Sequence, residues 1–445
     1  MGLEDHPTVK WYRGRKYDQL SHGTAKVDAQ WLKNLVLEAG ADDVGIVEVG
    51  RPDLDGHRGD ILRIFPATKA LISLVFRLNP ENIRSLSRAA SDLDFKRAMD
   101  EVDQVGRKIV WGLRRQGVRS LAPSSGFPMD LDLWPGKMWP VSHKPVAEAA
   151  GMGLMGKHRL LIHPRFGSFI TLGTILIDRP VSQYDKPLAF NPCINCGMCS
   201  AVCPVGAIGN DGAFHFVNCI THNYRDRLGG FSDWVEKIVG SKTVLSYRQK
   251  VSDPETVSMW QGLTYGVSNK CSYCMAVCPA GEEMIAPYLD DRKTYMASVV
   301  KPLQEREDTV YVLGASDGED HARKHFSRKK VKRVGNGLRP KSAANFLEAL
   351  PLLFQRDQSG DLNATYHFTF SGDEDIRSTV VIKNKTLEVT PGHAGTPNLH
   401  LTADSKTWVG FISKEKSLIG ALLQRKIRLK GSPRLMKEFA RCFPS

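Results

Sequence analysis

Between Val27 and Ala39 the apolar residues Trp31, Leu32, Leu35, Val36 and Ala39 recur at helical spacing, and the pattern stops at Gly40. The spacing predicts an amphipathic helix feeding a short apolar strand, Val44–Val47. Ala70–Phe76 reads as a buried strand. Phe95 to Gln116 reads as a helix whose stripe is Met99, Val102, Val105, Ile109, Val110 and Leu113. Leu160–Ile162 and Phe169–Ile177 predict further strands, so residues 25–185 are expected to fold as an α/β sandwich within a first domain, 1–185. Periodicity then gives way to a loop-rich segment, 186–290, expected to pack against the sheet. Residues 291–341 alternate acidic and basic stretches around Gly314-Ala315-Ser316-Asp317-Gly318, a composition expected of a charged linker. From 342 to 445 a helix near Ser342–Phe354 precedes the alternating strands Ala364–Phe370 and Ser378–Lys383. Asn398–Thr402 and helices near Ser405–Ser413 and Leu418–Gln424 complete an expected α+β domain of about 100 residues, enough for one core.

With 445 residues and 42% hydrophobic content, the chain is long enough for two or three domains with real cores. It holds no run of about 18 apolar residues, and its first stretch, MGLEDHPTVKWYRGRKYD, lacks a signal-peptide h-region and a twin-arginine pattern. A soluble, cytoplasmic protein is expected. The net charge of +13 suits nucleic acid, a membrane surface or an acidic redox partner. Part of that charge is local: RKHFSRKKVKR at 323–333 is read equally as a solvated linker or a binding patch.

Eight of the nine cysteines lie between 193 and 278, as Cys193-x2-Cys196-x2-Cys199-x3-Cys203-Pro204, then Cys219, then Cys271-x2-Cys274-x3-Cys278-Pro279. Three thiolates two residues apart wrap one face of a cubane, and the fourth, followed by proline, ligates the other cluster. The spacing therefore predicts two [4Fe–4S] clusters, one on Cys193, Cys196, Cys199 and Cys278, the other on Cys203, Cys219, Cys271 and Cys274. Ser268 stands where the second run would begin with cysteine, and Cys219 is its replacement. The alternatives are zinc, which favours paired C-x2-C spacing, and a disulfide framework, which suits small secreted chains. Cys442 is expected to be a bystander.

The segment Pro145-Val-Ala-Glu-Ala-Ala-Gly-Met-Gly-Leu-Met-Gly-Lys157-His-Arg-Leu-Leu-Ile162, followed by Arg165-Phe-Gly-Ser-Phe-Ile-Thr-Leu-Gly173, resembles the glycine-rich motif of epoxyqueuosine reductases and reductive dehalogenases. With the downstream cysteines the resemblance spans about residues 25–290. It implies an α/β cobalamin-binding domain with a ferredoxin-like insert for two [4Fe–4S] clusters. The cobalamin would be base-off, held through Gly153, Gly156, Lys157, His158, Leu160, Gly167 and Ser168. A G-x-G-x-x-G string also occurs in dinucleotide loops, but no strand precedes this one, so a nicotinamide site is not expected. Separately, residues 342–445 resemble the sterol carrier protein type 2 domain through the Thr407-Trp408 helix and the Lys426–Gly431 strand. That resemblance implies a carrier of hydrophobic ligands.

The resemblance implies an oxidoreductase that takes electrons from ferredoxin or flavodoxin and cleaves a C–O, C–halogen or similar bond in a hydrophobic small molecule. Epoxyqueuosine reductases carry a proton-donating Asp in an Asp-Ser-x-Pro-Val stretch, whereas this chain has Ser142-His143-Lys144 before Pro145-Val146. Dehalogenases use a Tyr supported by Lys or Arg, and no such Tyr is placed here. His143 and Lys144 are the nearest candidates for the acid, weighed against structural roles. His222 and Tyr224 are expected to pack near a cluster. Two other readings stand: transfer RNA modification, which the charge suits but which helical repeats would be expected to accompany, and a non-catalytic electron-transfer or corrinoid-reactivating protein.

Overall fold

A computed structural model of the chain describes residues 2–14, 25–266, 269–335 and 338–444. Ser268, the departure from the ferredoxin spacing, lies outside the described residues. The first sheet contains β1 (Asp43–Glu48), β2 (Ala70–Arg77), the two-residue β3 (Ser120–Leu121) and β6 (Ile170–Ile177), in the order β1-β2-β6-β3. Between β3 and β6 the chain makes a separate small hairpin, β4 (Leu154–Met155) with β5 (Leu161–Ile162). Helices Ala29–Ala39 and Arg88–Arg115 bury Leu32, Val36, Val102, Val105 and Ile109 on one face of the large sheet. Helices Asp55–Ile64 and His143–Ala149 bury Ile61, Val146 and Ala147 on the other. The expected layering is present, but every strand pair in the sheet is antiparallel, so it lacks the parallel crossovers of a doubly wound fold. Two glycines let the helices sit close. A Cβ on Gly45 would come 2.4 Å from the Ala150 carbonyl, and one on Gly173 would come 2.7 Å from Val102.

The cysteine segment folds as short helices, Met198–Val202, Phe216–Asn223 and Tyr273–Ala276, joined by loops. Between Cys219 and Cys271 it also carries three helices the sequence reading did not anticipate, Gly229–Val239, Val244–Lys250 and Asp253–Tyr265.

Residues 291–335 are not a linker. β7 (Thr309–Leu313), the helix Asp317–His325 and β8 (Lys330–Val334) form a parallel β-α-β unit that buries Val310, Val312 and Ala322 against Cys199 and Cys203. Part of its charge is structural. Lys329 is buried, donating to Asp308 Oδ1 at 2.9 Å and to the carbonyls of Leu303 and Arg306 at 3.1 and 3.0 Å. Arg323 and Arg333 both pair with buried Glu319, and Lys332 pairs with Glu255. Lys329 and Lys332 of the basic run are thus held within the fold, while Arg323, Lys324, Arg328, Lys330 and Arg333 stay exposed.

The C-terminal sheet has the order β11-β10-β9-β12-β13, comprising β9 (Ala364–Ser371), β10 (Ile376–Lys383), β11 (Thr386–Pro391), β12 (Leu399–Asp404) and β13 (Ile427–Gly431). Only β9 and β12 run parallel. Helices Ala343–Leu353, Ser405–Ile412, Leu418–Leu423 and Pro433–Arg441 complete the domain, and its core is an edge-to-face aromatic cluster of Phe346, Phe368, Phe370, Trp408 and Phe439. Cys442 is buried in this core, its thiol donating to the Glu438 carbonyl at 3.3 Å, as a bystander would be. The domain is tied to the rest of the chain. Asp317 accepts from the amides of Asp357 and Gln358, Arg356 pairs with Asp211, and Leu352 packs against the cluster of Trp134, Met138 and Ile220. Among the described residues, no helix is long and apolar enough to cross a membrane.

Candidate iron–sulfur site

The turn that opens the first cysteine run is built on Asn195 and Gly197, both with left-handed backbone (φ 54° and 76°), which fold the loop so that Cys193, Cys196 and Cys199 face one space. Cys278, 79 positions after Cys199, joins them: all four line a single pocket. Cys203, Cys219, Cys271 and Cys274 form the second group, for each of the last three feels the charge of Cys203. Cys274 also feels Cys199, so the two groups adjoin. The structure thus brings together the two sets that the spacing predicts. Among the described residues all nine thiols are free, and no three His, Cys, Asp or Glu side chains converge closely enough to hold a single metal ion.

The thiols are chemically poised in opposing ways. Burial pushes Cys199 up to about 11, and Cys219 and Cys278 up to about 12, with repulsion from neighbouring cysteines adding to the shift. Amide hydrogen bonds work the other way. Backbone N–H groups of Val205, Gly206, Ala207 and Ile208 stabilise a Cys203 thiolate, with Ala207 N 3.2 Å from its sulfur. Ser168 and the Ala280 amide do the same for Cys278. Without a cationic cluster these thiols stay protonated at neutral pH, so loading releases protons.

His158 lines the first pocket beside Cys193, Cys196, Cys199 and Cys278. Its Nδ1 accepts from the Leu160 amide at 3.1 Å, which leaves the ring proton on Nε2, and Nε2 is buried with no partner. Burial, with the nearby Lys144 charge, lowers its pKa to about 4, so the ring is neutral. A buried N–H without an acceptor is costly. A sulfide acceptor in the four-cysteine pocket supplies what it lacks, and on that ground the residues fit a cluster.

The glycine-rich segment serves this same pocket. Gly153 (φ 154°) is held where a Cβ would lie 2.4 Å from the Ile162 carbonyl, and Gly167 (φ 66°) where one would lie 2.1 Å from the Ala280 carbonyl, two residues past Cys278. Gly156 packs against Ile162 and His158, Leu160 is half-buried, and Lys157 lines the pocket while donating to the Asn210 carbonyl at 3.2 Å. Ser168 is fully buried. The close approach these glycines permit is to the chain's own backbone, not to an open macrocycle seat. A corrinoid therefore rests on the resemblance and not on these contacts.

The candidate acids separate. His143 is buried with both ring nitrogens engaged, Nδ1 with Thr174 Oγ1 at 2.9 Å and Nε2 with the Ser124 carbonyl at 3.0 Å. It ties a loop to β6 and holds no spare proton. Lys144 donates to the Arg159 carbonyl at 2.6 Å, and its pKa is lowered by burial, opposed by the charges of Cys219 and Cys274, so it faces the second set. Tyr224, half-buried, has its phenol pushed to about 12 by burial and by Cys219, and its ring packs edge-on to Phe127 at 6.1 Å. His222 is buried, with Nδ1 accepting from the Tyr311 amide at 3.4 Å. Sequence reasoning missed the role of His158 at the pocket wall. It also missed a groove of about 500 Å³ between Trp111, Arg107, Arg114 and the loop Ala122–Ser124, which opens where β3 leaves the edge of β6 uncovered. No periodicity marks either one.

Residues 348–444 match the SCP-2 sterol transfer family. Elsewhere the chain is similar to epoxyqueuosine reductases. It is 26% identical over 207 residues to that of Aliivibrio fischeri, covering 46% of this chain and 45% of that one. It is 33% identical over 103 residues to that of Salmonella typhimurium, covering 23% and 26%. It is 25% identical over 228 residues to that of Vibrio cholerae, covering 44% and 58%. The chain thus spans between about a quarter and three-fifths of the length of these curated relatives. Among solved structures, the epoxyqueuosine reductase of Bacillus subtilis overlaps it with a TM-score of 0.37 at 16% identity, covering 73% of this chain and 84% of that one. A reductive dehalogenase overlaps it with a TM-score of 0.33 at 20% identity, covering 42% and 27%. Overlaps this loose do not establish a shared fold.

Proposed function

We propose that this chain is an iron–sulfur reductase, with one [4Fe–4S] cluster on Cys193, Cys196, Cys199 and Cys278 and a second on Cys203, Cys219, Cys271 and Cys274. The observation that carries the reading is the pocket lined by four cysteines together with His158, whose Nε2–H is buried without a partner. When bound, such clusters store and pass single electrons at low potential. The chain's own groups set that potential and the order of transfer. His158 Nε2–H and the amides around Cys203 and Cys278 stabilise negative charge on sulfur. Exposed Ile194 and Asn195 beside the first pocket favour the first set as the entry point for a ferredoxin or flavodoxin. Lys144, facing the second set, holds a proton close to where electrons leave.

The substrate in this reading is a hydrophobic small molecule, reductively cleaved at a C–O, C–halogen or similar bond in the cytoplasm, with a corrinoid as the further cofactor that the similarity to epoxyqueuosine reductases suggests. The match of 348–444 to a sterol transfer family supports a hydrophobic substrate. The test is anaerobic reconstitution with iron and sulfide, incubation with hydroxocobalamin, gel filtration and cobalt(II) EPR. Retained corrinoid with a base-off spectrum supports the reductase. Clusters without corrinoid move the weight to an electron-transfer protein.

A second reading, modification of transfer RNA, is favoured by the 33% identity to an epoxyqueuosine reductase over 103 residues. Unchanged epoxyqueuosine in transfer RNA hydrolysed from a strain lacking this chain would dispose of it.

A further inference from the structure

The C-terminal domain carries an exposed apolar tip ringed by cations that nothing in the site above uses. The helix Leu418–Leu423 turns Leu418 and Ala421 toward the domain core. Its other face holds Ile419, Leu422 and Leu423, which are 70%, 36% and 80% exposed. These three sit at i, i+3 and i+4, one continuous outward stripe. Lys414 and Lys416 precede the helix, and Arg425, Lys426, Arg428 and Lys430 follow it, all six exposed, with Glu415 the one acid between 414 and 430. Among the described residues, none of the six cations forms an ion pair, although Asp404 lies within reach of the Lys416 and Lys426 charges. Lys414 and Arg425 also hold left-handed backbone (φ 63° and 55°) at either end of the helix, where glycine would be easier.

We propose that residues 414–430 form a docking surface for an anionic phospholipid bilayer. Ile419, Leu422 and Leu423 would enter the headgroup–acyl boundary while the six cations meet lipid phosphates. A short stripe of aliphatic residues flanked by basic ones is the composition of an interfacial element, and four to eight cations beside such an element suit acidic headgroups. The edge position of β13 explains Arg428 and Lys430 in part, since charged residues discourage strand-to-strand aggregation. It does not explain exposed leucine and isoleucine next to them. The same apolar stripe argues against a nucleic-acid backbone as the partner, because phosphate contacts need no aliphatic tip. The inference is independent of the reductase reading.

The experiment is flotation of the full chain with vesicles of phosphatidylcholine containing about one-third phosphatidylglycerol, against pure phosphatidylcholine, at about 0.1 M salt. The wild type should float with the anionic vesicles and release as salt rises. Ile419→Asp with Leu423→Asp, at exposed positions that leave the core intact, should weaken partition by about ten-fold or more, and Lys426→Glu with Arg428→Glu by a similar factor, since each cation near such a surface contributes about five-fold. Val239→Asp, on a different exposed apolar surface, should change nothing. Equal flotation with both lipids, or retention by the aspartate variant, overturns the proposal. So does displacement from vesicles by a transfer RNA stem-loop whose own binding survives the aspartate changes, because the surface would then be a nucleic-acid site.

Discussion

The two cysteine sets share ligand number and chemistry but not surroundings. The first lies at a pocket bordered by exposed Ile194 and Asn195, with Cys193 and Cys196 only half-buried. The second lies under the β7-helix-β8 unit, whose Val310, Val312 and Ala322 pack on Cys203 and toward half-buried Cys219 and Cys274, and reach Cys199 of the first set as well. In the proposed reading, in which a partner approaches the pocket beside Ile194, the first set receives electrons and the second passes them on. The difference also shows why a segment of unremarkable composition, 309–334, matters: it is the roof.

Removing the clamp of that roof should separate the two sets most strongly. Lys329 is fully buried and satisfied by Asp308 and two carbonyls. Lys329→Ala removes the closest cation from Asp308, leaving Arg306 at 3.6 Å and the Tyr273 hydroxyl, and should cost about 3 kcal/mol in denaturant unfolding. Iron should be lost from the second set first. Equal loss from both sets would mean the roof protects neither in particular.

Asp92 provides a pH handle on the same side. Its neighbour Ser91 is 2.8 Å from Ser272, beside Cys271, and Arg88, Lys270, Arg227 and Asp226 all act on its charge. Burial raises its pKa to about 7. The native state therefore binds a proton that the unfolded chain has released between pH 3.8 and about 7, and stability falls as pH rises through that window, then levels off. Asp92→Asn should abolish this slope and stabilise the protein at pH 8 by an amount of order 2–4 kcal/mol. A thermal-melting series across pH reads both. An unchanged slope in the variant would show that another group carries it.

The smallest effect sharpens the first set. His158→Phe removes the N–H that faces the four-cysteine pocket and should lower that cluster's potential by tens of millivolts. A hydrogen bond to a charged group is worth about 1.5–3 kcal/mol and about 59 mV corresponds to a tenfold change for one electron. The potential of the second set should stay put. EPR-monitored redox titration resolves the two.

The cysteine partition was legible because cluster geometry imposes a linear spacing, and Cys278 joins Cys193, Cys196 and Cys199 as that spacing requires. The strands and helices around 27–177 were legible because their apolar residues repeat at 3.6 or 2 positions. The roof was not. Glu319 and Lys329 are charged in sequence and buried in space, and a composition argument treats buried ion pairs as solvent-facing. The short alternating runs Thr309–Leu313 and Lys330–Val334 were the signal that could have found it. The glycines of 151–167 stand out in the sequence, but a positive φ shows that something comes close without saying what, and the contacts at Gly153 and Gly167 are with the backbone of Ile162 and Ala280. His158 was named for a macrocycle and stands at the cysteine pocket, because ring orientation depends on the Leu160 amide, a contact no pattern displays. The antiparallel order of the first sheet was hidden for a similar reason: strand direction leaves no mark on apolar alternation.

The most direct test of two cubane clusters on these cysteines is an iron and acid-labile sulfide count on anaerobically reconstituted protein, with Cys196→Ser and Cys219→Ser alongside. The account predicts about eight irons and eight sulfides per wild-type chain, and a loss of up to about four of each in either variant, with the other set's EPR signal retained. Bound zinc in place of iron, or full iron content in both variants, would contradict it.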